Sequence, residues 1–172
     1  ADNNDILEEP VTIRDNHISF TNQNSNNMPY ISFRSDGYQT QPYDGRLLFK
    51  GNTLDKMPLY VDRAGEALIQ DNMFQNNSSS TSAINIYNSN VLLERDTLIN
   101  NYGGGILVFS SEYSSYSDTI RYCLIESNGH TSGSSWKSGI DLESNAAPVI
   151  HNNNIYGATG PYEISNKTSN EI

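Results

Sequence analysis

Residues 148–155 read PVIHNNNI: two apolar side chains, an imidazole and three asparagines in a row before one more isoleucine. The octet recurs as VTIRDNHI (11–18), LLFKGNTL (47–54), ALIQDNMF (67–74), VLLERDTL (91–98) and DTIRYCLI (118–125). Its third position is apolar in every copy (Ile13, Phe49, Ile69, Leu93, Ile120, Ile150), and so is its last (Ile18, Leu54, Phe74, Leu98, Ile125, Ile155). The sixth reads Asn16, Asn52, Asn72, Asp96, Cys123 and Asn153. Copies follow one another at 36, 20, 24, 27 and 30 residues, the range in which solenoids repeat.

A second strand type lies between the copies: YISFRSD (30–36), LYVDR (59–63), AINIYNSN (83–90), GILVFSS (105–111) and GIDLESN (139–145). Its strict alternation places Ile31/Phe33, Leu59/Val61, Ile84/Ile86, Ile106/Val108 and Ile140/Leu142 on one face. One such turn of chain cannot bury its apolar face alone; stacked turns share a core and pair each other's backbone groups. The expectation is an all-β solenoid, a parallel β-helix of five to six coils over residues 11–172, with residues 1–10 as a leader or partial cap.

These strands resemble those of the right-handed parallel β-helix in the pectate-lyase-like superfamily. There a strand such as GIDL is the first of each coil, one such as PVIHN is the second, and an asparagine turn leads to the third. On the residues themselves, the sixth-position column reads as the tight corner, filled by side chains that tolerate left-handed backbone and stack along the rod. Cys123 is then a small buried corner residue.

The resemblance implies that ligands lie along the outer face of the GIDL-type strands. Its outward columns are Ser32, Tyr60, Asn85, Leu107, Asp141 and Arg34, Asp62, Tyr87, Phe109, Glu143. Tyr60, Asp62, Asn85, Tyr87, Phe109, Asp141 and Glu143 are the ligand-binding candidates, because sugars are held by stacking on aromatic rings and by polar contacts. Loop residues Tyr113, Tyr116 and Trp136 join them, with Tyr38, Tyr43 and His130 in the same loops. The other outward column, Arg14, Lys50, Gln70, Glu94, Arg121 and His151, reads as a solvated, mixed-sign face.

A net charge of -10 argues against the phosphate-binding surfaces that clustered Lys and Arg create, so nucleic acid is not an expected partner. One cysteine permits no internal disulfide, and no apolar run approaches a membrane span. The Asn, Ser, Thr and Tyr bias suits a secreted or cell-surface protein. The catalytic alternative is a polysaccharide lyase or hydrolase using Asp141 and Glu143 as acids and Arg34 as the cation that neutralises a uronate. Asp141 and Glu143 share a face, the minimum for paired carboxylates or for Ca²⁺, the one cofactor this pattern admits. The resemblance implies further motifs for polygalacturonase-like hydrolysis, and no DD pair or GHG occurs. The expectation is therefore a non-catalytic module that binds polysaccharide or serves as scaffold, with end-to-end self-association or further coils as its other contacts.

Overall fold

The computed structural model describes residues 9–20, 29–35, 45–111, 116–129, 131–132, 135–136, 138–158 and 163–168. The strands form three six-stranded parallel sheets, and each of six coils supplies one strand to each sheet in turn. Face one holds Ile31–Arg34, Leu59–Asp62, Ile84–Tyr87, Ile106–Ser110, Ile140–Ser144 and Ile164–Thr168. Face two holds Val11–Arg14, Arg46–Lys50, Glu66–Gln70, Val91–Glu94, Thr119–Arg121 and Val149–His151. Face three holds His17–Ser19, Thr53–Asp55, Met73–Gln75, Thr97–Ile99, Leu124–Glu126 and Asn154–Tyr156. A coil runs from face two to face three to face one, so coil one is 11–34 and coil six 149–168. A short antiparallel pair, Thr131–Ser132 with Ser135–Trp136, projects from coil five.

Register follows the octets: Ile13, Phe49, Ile69, Leu93, Ile120 and Ile150 are successive partners across face two. Phe49, Ile69, Leu93 and Ile120 are fully buried, while Ile13 and Ile150, in the end coils, pack against the core from partly open positions. The difference is that of one stacking neighbour against two. Inside the rod the rings of Phe49 and Phe74 lie 6.2 Å apart. Each fully buried Leu, Ile or Phe contributes about 1.5–3 kcal/mol, and almost every inner position is one of these.

The turn between faces two and three divides its labour between two adjacent residues, and this corrects the expectation for the corner. The left-handed residue is the fifth of the octet: Asp15, Gly51, Asp71, Arg95, Tyr122 and Asn152, with φ between 56 and 67°. The sixth points inward and builds a ladder. Asn16 donates through its backbone N and Nδ2 to Asn52 Oδ1 (3.0 Å each), Asn52 does the same to Asn72 (2.9 and 3.1 Å), and Asn72 to Asp96 (2.8 Å each). In PVIHNNNI, Asn152 bends the chain, Asn153 joins the ladder and Asn154 opens the face-three strand. Cys123 is buried in the same file, as expected, and its backbone N–H donates to Asn153 Oδ1 at 2.9 Å.

A second ladder closes the turn after face three. Asn77 N donates to Asn101 Oδ1 (3.1 Å), and Asn101 donates through N and Nδ2 to Asn128 Oδ1 (3.1 and 2.7 Å). The left-handed residues before it are Asn76, Asn100 and Ser127.

Candidate functional site

On face one the inward Ile/Leu/Val/Phe alternation forces the intervening residues outward, and the two outward columns pair in register as the alternation predicts. They have different fates. In the first column Asn85 is 1 % exposed, Leu107 8 % and Asp141 0 %. In coils three to five the connections entering the face-one strands fold over this column. Asn85 Nδ2 donates to Ser82 O (2.7 Å), and Asp141 Oδ2 accepts from the backbone N of Ser138 (3.2 Å). The glycine run 103–105 permits this close cover: a Cβ on Gly103 would sit 2.0 Å from the carbonyl oxygen of Thr81. Asn85 and Asp141 are therefore removed from the ligand-binding set, because a polymer on the outside of the rod cannot reach them. Leu107 is not an exposed apolar residue either.

Asp141 and Glu143 are not an open carboxylate pair. Lys167, on the neighbouring face-one strand, places Nζ 3.4 Å from Glu143 Oε1 and 3.9 Å from Asp141 Oδ1. An ammonium stands where a cation shared by the two carboxylates would go. Among the described residues no group of three or more His, Cys, Asp or Glu side chains could hold a metal ion.

The second column stays open toward the first coils. Tyr30, Tyr60, Tyr87 and Phe109 form an oblique file across four strands, crossing from one outward column to the other. Tyr30 meets Tyr60 edge-on at 5.2 Å, Tyr60 and Tyr87 are within 3° of parallel at 6.4 Å, and Phe109 tilts against Tyr87 at 5.9 Å. Beside the file, Tyr30, Ser32, Arg34, Tyr60, Asp62, Tyr87 and Asn88 line an open groove of about 480 Å³. Asp62 is bracketed by two guanidiniums, Arg34 Nε at 3.3 Å and Arg63 Nη2 at 3.5 Å. Burial pushes the Tyr87 hydroxyl up, and Tyr60, Glu143 and Asp62 add to the effect, so it stays a hydrogen-bond donor at any physiological pH.

The match of the right-handed beta helix family model runs over residues 3–172. The chain belongs to that family. In this right-handed beta helix the groove occupies face one of coils one to three. No curated protein and no solved structure matches the chain.

Of the sequence candidates, the beta helix brings together Arg34, Tyr60, Asp62 and Tyr87, with Phe109 extending the file. Glu143 lies two coils further along, paired with Lys167. Tyr116 is half-buried in the connection from face one of coil four to face two of coil five, away from the groove lining. Tyr38, Tyr43, Tyr113, His130 and the side chain of Trp136 lie outside the described residues, as does the candidate cap apart from Glu9 and Pro10. Sequence reasoning missed Tyr30, which is 62 % exposed and sits two residues before Ser32 on the outward alternation. It also missed Asn88, whose left-handed backbone (φ 47°) ends the Tyr87 strand and sets its side chain at the groove.

The mixed-sign face-two column is less solvated than its composition implies. Glu94 is 7 % exposed, lying beneath Arg95 and Arg121 and accepting from Gln70 Nε2 (2.8 Å) and Arg121 Nε (2.7 Å). These contacts, led by the Gln70 and Arg121 hydrogen bonds, hold its carboxyl below the usual range.

Proposed function

We propose that this beta helix is a non-catalytic polysaccharide-binding protein, secreted or displayed at a cell surface, that takes a glycan chain along face one. The observation that carries the reading is the oblique file Tyr30–Tyr60–Tyr87–Phe109 beside a groove edged by Arg34, Asp62 and Asn88. Aromatic rings provide apolar area at low entropic cost, and a charged pair at their edge orients hydroxyls. Half-exposed rings repeated from coil to coil suit a ligand that itself repeats. Against catalysis stand the enclosure of Asp141 and the ammonium of Lys167 between it and Glu143.

The test is electrophoresis through gels containing neutral or acidic polysaccharides, run beside assays for unsaturated products and new reducing ends. Retarded migration with one glycan, free mobility of Tyr87→Ala in the same gel, and no product support the reading. Product formation would transfer it to a lyase or hydrolase. Unretarded migration with every glycan would leave the protein a scaffold.

A further inference from the structure

One member of the inner ladder is a carboxyl group. Past the first coil, each asparagine of the ladder also donates through Nδ2 to a carbonyl one coil back: Asn52 to Ile13 O (2.9 Å), Asn72 to Phe49 O (3.0 Å) and Asn153 to Ile120 O (2.9 Å). Coil four has Asp96 instead. Its Oδ1 takes both N–H groups of Asn72. Its Oδ2, on the branch where the others carry Nδ2, is buried with no hydrogen-bond partner among the described residues. The carbonyl that continues the pattern is that of Ile69, an acceptor, and a carboxylate has no proton to give it. Coil five brings no donor to the gap, since Cys123 directs its thiol to the carbonyls of Arg121 (3.3 Å) and Leu93 (3.9 Å).

We propose that Asp96 is built into the folded protein as the neutral acid, its Oδ2–H replacing an asparagine Nδ2–H toward Ile69 O, and that its ionisation loosens the joint around coil four. The surroundings favour the proton. Burial pushes the Asp96 carboxyl up to about 7, with Asn72 and Arg95 opposing and Asp71 adding to the rise. Arg95, the cation on the same turn, is engaged by Asp71 (2.8 Å) and Glu94; Arg121 on coil five is engaged by Glu94. The thiol of Cys123 is pushed up to about 12, first by burial and then by Asp96, so it stays neutral throughout.

The folded carboxyl near 7 lies above its ordinary 3.8. Below 3.8 both folded and unfolded chains hold the proton. Between the two values only the folded chain does, so stability falls as pH rises and levels off above about 7. From about pH 5.5 to about pH 8.5 the unfolding constant rises roughly thirtyfold through this group alone. Asp118 is a second buried carboxyl, pushed up to about 7 by burial while it accepts from Val91 N (2.9 Å), and it adds a separate share.

The experiment is urea unfolding of the wild type, Asp96→Asn and Asp118→Asn at those two pH values. Asp96→Asn is expected to remove about thirtyfold of the wild-type change, and Asp118→Asn to leave that share in place. A pH dependence equal in Asp96→Asn and wild type overturns the proposal. Folded Asp118→Asn at about pH 6 gives a readout independent of stability: the infrared carbonyl band of a protonated carboxyl, titrating near neutrality, is expected, and its absence also overturns the proposal.

Discussion

The six turn residues with positive φ show what one position asks of a side chain. Asp15, Asp71, Asn152 and Gly51 are types that accept left-handed backbone readily; Arg95 and Tyr122 are not. Tyr122→Asn should therefore stabilise the fold by about 0.5–1 kcal/mol, measured by urea unfolding, since the strain relieved outweighs an exposed ring's contacts with His151 and Arg121. The neighbouring ladder residue obeys the opposite logic. Asn72 accepts two N–H groups and donates to Phe49 O from a buried site, so Asn72→Ala should cost about 2–4 kcal/mol by leaving those groups unpaired. The octet alignment made both columns visible, but a polar residue at a corner is compatible with either task. What separates them is direction, inward or along the bend, and a one-residue shift decides it.

At the scale of strands and connections, alternation specified which residues leave the core, because a parallel strand with period two has no other choice. It did not specify what happens outside. Asn85 and Asp141 occupy the same kind of position as Tyr60 and lie under cover only because the connections at 80–83, 102–105 and 138–139 fold back over the strand that follows. Connections of unequal length carry no periodic signal, so their cover was not legible. The second ladder did leave a signal, which the octet reading passed over: QNN at 75–77, INN at 99–101 and ESN at 126–128 repeat at the ends of three of the six face-three strands. The covering of face one depends on close backbone approach, so Gly103→Ala should destabilise coil four by forcing its connection off Thr81. Hydrogen exchange should then show lost protection at residues 102–107 while face two keeps its own.

For the whole molecule, three faces of one rod have separate characters. Face three meets face two through the inner ladder, face two carries the Glu94 network, and face one has its first outward column enclosed in coils three to five while a groove opens along coils one to three. Solenoid stability is set by neighbouring coils, so changes on the open groove should leave the fold intact. Tyr60→Ala and Tyr87→Ala should keep far-ultraviolet circular dichroism unchanged while weakening ligand affinity. The most direct measurement is calorimetric titration of wild type and Tyr87→Ala with oligosaccharides from disaccharide to hexasaccharide, drawn from the glycan that retards the protein. Affinity is predicted to climb with chain length until the aromatic file is covered and then level off, with Tyr87→Ala weaker by tenfold or more, about 1.4 kcal/mol. Equal affinity for the two proteins, or affinity independent of chain length, would contradict a glycan lying along face one.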